Sequence, residues 1–152
     1  MTSKIAILTS GNAAEVLEAI AARFNDLSEP MNEIAAILEG ATEDAFAEER
    51  SPVTGQAWPE LSANYLKQNP KRVGGKMLQV SAGGLAASIA ADSGDLWAEI
   101  GSNKPYAAIH NFGGLPEFAP GPAAIPQREY LGVSAEDETD ILGVLESFLL
   151  EN

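Results

Sequence analysis

The chain has 152 residues, 45% hydrophobic and 20% charged, with no cysteine and a single histidine; that fits one domain burying about 70% of its unfolded surface and excludes disulfides, zinc–thiolate sites and thiol nucleophiles. Twenty-two Asp and Glu against nine Lys and Arg give a net charge of −13, the opposite of the basic stripe that nucleic-acid binding needs. No stretch approaches the ~20 apolar residues of a membrane span, and the run Ile5 to Leu8 is too short for a signal-peptide core, so a soluble protein made in the cytoplasm is expected.

The first element is a short apolar, β-branched run, Lys4 to Thr9, stopped by Ser10-Gly11-Asn12 and read as a strand. Asn12 can cap a helix that runs to about Asp26, with Leu17, Ile20, Ala21 and Phe24 on one face. Ser28 can cap the next helix and Pro30 fits its first turn. Met31, Ile34, Ala35, Leu38, Ala45 and Phe46 make its apolar stripe, which reads as core. A break is expected near Gly40, with a restart at Thr42-Glu43-Asp44.

Ser51 to Pro59 is rich in turn residues, and Trp58 within it is either an anchor to the body or an interface residue. Leu61 to Gln68 has room for one or two helical turns before Asn69-Pro70 and Gly74-Gly75. So long a connection is usually functional or mobile, and ordering on contact with a neighbour is expected. Lys67, Lys71, Arg72 and Lys76 form the densest basic patch. It is either a solvated loop or a docking loop for an acidic neighbour such as another copy of this chain.

Met77 to Val80 opens the second half, and Ser81 to Gly84 turns it. Leu85 to Ala90 and Leu96 to Ile100 read as a hairpin around an Asp92 to Asp95 turn, with Leu96, Ala98 and Ile100 on one face. Pro105 then suits the start of a short helix, Tyr106 to Phe112, ended by Gly113-Gly114. Leu115 to Ala124 holds Pro116, Pro120 and Pro122 and reads as an extended loop or arm. After a strand or bend at Tyr130 to Val133, Ser134 caps a last helix with Glu136 and Asp137 in its first turn. Ile141, Leu145, Phe148 and Leu149 are its apolar face; Leu142, Val144 and Leu150 widen it toward burial on more than one side.

Chemistry is sparsely signalled. His110 is the only imidazole base available to a Ser or Thr nucleophile, and neither G-x-S-x-G nor S-x-x-K occurs. One histidine plus carboxylates is a poor zinc set. Gly11 lies between a strand and a helix, yet neither nucleotide-binding glycine motif is present. Phe46, Trp58, Tyr106, Phe112 and Tyr130 could stack bases only with basic residues interleaved, so packing is the better reading. Tyr106, Ile109 and Phe112 have the spacing to pack a short helix on the sheet. His110 beside them is expected to fix the Gly113-Gly114 exit by a hydrogen bond rather than to catalyse.

Four patterns from Phe46 onward resemble the Mu-like phage virion morphogenesis family, the tail completion proteins. They are Phe46 followed by Pro52, Gly55, Trp58 and Leu61; Leu78 followed by Gly84, Leu85, Ser88 and Ile89; Gly101-Ser102 followed by Tyr106-Ala107, Ile109-His110 and Gly113-Gly114; and Ile125, Pro126, Arg128, Tyr130, Leu131 and Gly132. The chain departs from the family at Gln127-Arg128-Glu129-Tyr130, where Ala-Arg-Pro-Phe is common. The N-terminal helices match only in length and pattern.

The resemblance implies an α+β fold like that of tail terminators and neck proteins. Here that means one domain over 1–152, a small antiparallel sheet packed against N-terminal and C-terminal helices, with flexible segments at about 51–76 and 113–124. It implies a non-enzymatic virion subunit that completes or terminates the tail as a ring, expected to be hexameric, at the head-proximal end. Its partners would be further copies, the tail tube protein and a neck or head-closure protein. DNA would pass the channel without specific binding, helped by the acidic surface. No catalytic, cofactor or metal residues are implied; Trp58, Tyr106, His110, Phe112, Arg128 and Tyr130 are the expected structural or interface residues. The alternatives are a head-closure or adaptor protein of the neck and, more remotely, a small hydrolase using His110.

Overall fold

The computed structural model of the chain describes residues 12–115 and 124–150. The strand expected at Lys4 to Thr9 and the central part of the arm expected at 113–124 lie outside them. The described elements are helices α1 (Asn12–Arg23), α2 (Ser28–Glu48) and α3 (Ala63–Gln68), strands β1 (Ile89–Ser93) and β2 (Ala98–Ser102), and helices α4 (Ala107–Phe112) and α5 (Ala135–Leu150). Five helices with a two-stranded antiparallel sheet make the α+β fold that was expected.

Helix α2 is the centre of the packing, and α1 reaches it by way of α5. The hairpin lies against α2, and α5 runs along it. Ile34, Ala35, Ala45 and Phe46 of the expected stripe are buried. The expected break at Gly40 does not occur: α2 is continuous over 21 residues. One helical glycine costs only about 1 kcal/mol relative to alanine, and α2 is packed by both the hairpin and α5. Thr42 is buried inside the helix, its hydroxyl donating to the Leu38 carbonyl at 3.1 Å, so it caps nothing. The helix start is held by Asp26 rather than by Ser28. One Asp26 carboxylate oxygen accepts from the Ser28 backbone N–H at 2.9 Å and from its hydroxyl, which holds the Asp26 carboxyl below its ordinary value.

The hairpin sits two to four residues later than the pattern suggested. Ile89 pairs with Ser102 and Ser93 with Ala98. The turn is therefore Gly94 to Trp97, closed by Gly94 N–H to Trp97 O at 2.9 Å. Asp92 stays in β1 because it points to solvent, and Leu96 falls in the turn, 67% exposed, not on a strand face. Gly94 is required there by space. A Cβ on it would sit 2.5 Å from the Trp97 indole nitrogen.

The terminal helices are only partly covered. Leu17 on α1 and Phe24 in the turn after it are exposed despite their place on the expected face, and Arg23 ties α1 to α5 by donating to Phe148 O at 2.8 Å. Helix α5 starts in a reciprocal cap: Asp137 N–H donates to Ser134 Oγ at 3.1 Å, and Ser134 N–H donates to Asp137 Oδ2 at 2.7 Å. Ile141, Leu145, Phe148 and Leu149 are half-buried, while Leu142 and Leu150 remain exposed.

Candidate functional site

The core beside α2 is aromatic. Phe46 meets Trp58 edge-on at 5.7 Å between ring centroids and Tyr130 at 5.2 Å. Leu85 closes the cluster. Trp58 is 4% exposed, and its indole N–H donates to Glu129 O at 2.7 Å. Of the two roles open to it, the structure assigns the anchor. Tyr130 is fully buried, with its hydroxyl donating to Ala107 O at 2.8 Å; burial pushes that phenol above its ordinary pKa.

Residues 128–131 form a spine stitched on both sides without belonging to a strand. Toward α4, Arg128 N–H donates to His110 O at 2.8 Å, and both Tyr130 N–H and Leu131 N–H donate to the Asn111 side-chain oxygen at 3.0 and 2.9 Å. Toward the 51–60 loop, the Arg128 guanidinium donates to Pro59 O at 2.9 Å through Nε and to Glu60 O at 3.1 Å through Nη2. Ser51 Oγ bonds the Glu129 carboxylate and accepts from the N–H groups of Val53 and Thr54. One short segment thus satisfies a loop and a helix end that would otherwise leave backbone groups unpaired. Arg128 is only 5% exposed, and burial lowers its pKa.

Of the six expected residues, Trp58, Arg128 and Tyr130 meet in this spine, and His110 contributes through its backbone carbonyl. Tyr106 and Phe112 do not join it. Phe112 is 73% exposed and Tyr106 42%, so Tyr106, Ile109 and Phe112 are not a sheet-packing face. Helix α4 is instead oriented by Ala107 and Asn111, one turn apart, which receive the Tyr130 hydroxyl and the spine N–H groups. Asn111 was missed by the sequence reading. The two alanines at 107 and 108 were the available hint that the close approach is on that side.

The His110 side chain also departs from expectation. Its Nδ1 is buried with no hydrogen-bond partner among the described residues. The Gly113-Gly114 exit is held by backbone instead: Gly114 N–H donates to Ile125 O at 2.7 Å, and the Arg128–His110 bond lies beside it. Gly113 has φ of 80°, and a Cβ there would come within 3.0 Å of Gln127 N. Burial first, and then the charge of Arg128, pull the imidazole below its ordinary pKa. A base needs an orienting acceptor; here the ring meets Tyr106 edge-on at 6.1 Å.

Beside the spine runs a groove of about 680 Å³ between α3 and α4, lined by Tyr65, Arg72, Leu78, Tyr106, His110 and Arg128 among others. Its walls are mostly apolar. Among the described residues no three His, Asp or Glu side chains come together as a metal would require, and no described helix is long and apolar enough to cross a membrane.

Comparison with known proteins gives a consistent answer. The model of the phage virion morphogenesis family matches residues 10–150. The putative capsid assembly protein G of Escherichia phage Mu is 41% identical over 114 residues, covering 74% of this chain and 72% of the relative. Two proteins of Haemophilus influenzae are also similar. The Mu-like prophage FluMu G protein 1 is 30% identical over 137 residues, covering 85% of this chain and 88% of its own length. G protein 2 is 32% identical over 140 residues, covering 90% and 91%. No solved structure matches.

Proposed function

The chain belongs to the phage virion morphogenesis family, and from that premise we propose that it is a non-enzymatic tail-completion or terminator subunit, forming a ring at the head-proximal end of the tail. The ring, with hexameric symmetry, would sit between the tail tube protein and a neck or head-closure protein, and DNA would pass through it.

The observation that carries this reading is the use made of Trp58, Asn111, Arg128 and Tyr130. Their polar groups go into holding two loops and α4 against α2, by bonds mostly to backbone atoms. That is scaffold chemistry. The exposed apolar side chains give a ring something to bury: Val16 and Leu17 on α1 with Phe24 just after it, Leu142 and Leu150 on α5, and Leu96, Trp97 and Phe112 elsewhere. A closed ring needs two different patches per copy. The charge of −13 suits a wall past which DNA must slide without sticking.

The test is to add purified protein to tails assembled without it and image them by negative stain, alongside the mass of the protein in solution. Rings at tail ends are expected. A strict monomer that never joins tails would overturn the reading.

A further inference from the structure

We propose that the groove between α3 and α4 is the docking site for a carboxylate-bearing segment of a second copy of this chain. The inference rests on the ring reading for the presence of that second copy; the place and chemistry of the contact come from the groove itself.

The groove sets two arginines against a single acid, Glu60, in a chain whose net charge is −13. Arg72, Arg128 and His110 line it from the 3₁₀ turn after α3, the spine and α4. Among the described residues neither arginine is in an ion pair; the one ion pair there is Arg50–Glu48. Arg128 donates to the Pro59 and Glu60 carbonyls, which bear no charge to offset its own. Arg72 donates only through Nη2, to Lys76 O, and its Nε is buried without a partner. His110 Nδ1 is buried in the same condition. Buried polar nitrogens are almost always bonded; these two are enclosed and unpartnered in the isolated chain, so an acceptor reaches them as the groove side chains shift on docking. The other walls are mainly apolar or aromatic, Leu61, Tyr65, Leu78 and Tyr106 among them, with Ser62 and Ser81 between. A carboxylate carried on an apolar-flanked peptide satisfies both parts, and arginine is the residue suited to it.

Charge complementarity points to a second copy. Each copy carries 22 acids, and Glu136, Glu138 and Asp140 on α5 and Glu43, Asp44 and Glu48 on α2 are exposed in the isolated chain. A groove on one copy meeting acids on the next is heterologous, as ring closure requires. Nucleic acid fits less well, because two arginines in mostly apolar walls do not offset a net −13 for a polyanion.

The experiment places the photoreactive residue p-benzoylphenylalanine at position 65, on the groove rim, in rings built from an equal mixture of ¹⁴N- and ¹⁵N-labelled full-length chains. Mass spectrometry of the cross-linked peptides then separates interchain from intrachain links. Interchain links to an Asp- or Glu-containing peptide are expected. Arg72→Glu should abolish them and weaken self-association at least about tenfold, as like charges meet, while circular dichroism of the isolated chain stays unchanged and its melting falls only by the loss of the one bond to Lys76 O. Links confined to the same chain, to DNA or to the tail tube protein would overturn the proposal, as would rings indifferent to Arg72→Glu; in those cases the ring reading stands. If no ring forms, the ring reading fails and takes the proposal with it.

Discussion

Replacing Asn111 by leucine separates hydrogen bonding from packing at the centre of the spine. Leucine keeps the branching and heavy-atom count of asparagine, so no cavity is introduced, although its bulkier methyl groups add some overpacking. What disappears is one oxygen, 4% exposed as part of its residue, that accepts from two backbone N–H groups at 3.0 and 2.9 Å. Tyr130 is itself fully buried, so water does not reach its N–H in place of the amide. Each orphaned buried donor costs about 1–3 kcal/mol. Two give about 2–6 kcal/mol, and the hydrophobic gain of leucine returns about 1 of these. A net loss of roughly 1–5 kcal/mol is a large part of a stability of about 5–15 kcal/mol typical of domains. It corresponds to a drop in Tm of about 2–20 °C at this chain length. Urea unfolding followed by circular dichroism reads it directly, provided the slope m is unchanged. A loss under about 1 kcal/mol would refute the reasoning, because Asn111 would then be acting only as filler.

Two further outcomes follow from the same geometry. Gly132→Ala should destabilise by more than about 1 kcal/mol, since φ is 147° and the new Cβ would lie 2.4 Å from a Val53 methyl carbon; thermal melting checks it, and pairing it with Val53→Ala should restore part of the loss. The His110 imidazole has its pKa below the ordinary 6.5 when folded, through burial and Arg128. The unfolded chain therefore takes up the proton first. The contribution of His110 is intact above about pH 6.5 and is lost as pH falls through the window below it. His110→Gln should flatten the fall in urea midpoint between pH 7.5 and 5, and an unchanged fall in that variant would exclude His110 as its source.

The features that were legible in the sequence are those whose signal is local. Ser134 with Asp137 three residues on announced the start of α5, the 3.6-residue stripe announced α2, and Pro105 with Gly113-Gly114 bracketed α4 to within a residue. Trp58 between prolines read as either an anchor or an interface residue, and it is buried in the isolated chain. The register of the hairpin was not legible, because Leu85 to Ile100 is rich in alanine and gives little alternation to fix where pairing begins. Gly40 misled because its cost is small beside the packing on both sides of α2. Asn111 and the carbonyl contacts of Arg128 were invisible for a different reason. Their partners are backbone atoms, and a backbone carbonyl or N–H has the same chemistry whatever residue bears it, so sequence carries no mark of the pairing.

That dependence on backbone partners also explains how so acidic a chain coheres. With 22 acids available, the cations could have been neutralised by carboxylates, yet Arg23 donates to Phe148 O, Arg72 to Lys76 O, Lys76 to Ala47 O, and Arg128 to Pro59 and Glu60 O. The Arg50–Glu48 pair at 3.0 Å is about half exposed on each side and belongs to the class worth 0–1 kcal/mol. The cations thus close helix ends and loops, where the carbonyl dipole is the acceptor; apart from acids such as Asp26, Glu49, Glu129 and Asp137, which accept hydrogen bonds within the fold, most carboxylates are left facing solvent or a neighbour. Stability and surface charge are thereby decoupled. The negative field can be set by what the chain must repel or receive, and the fold beneath it rests on aromatic packing and on a spine whose bonds no surface substitution touches.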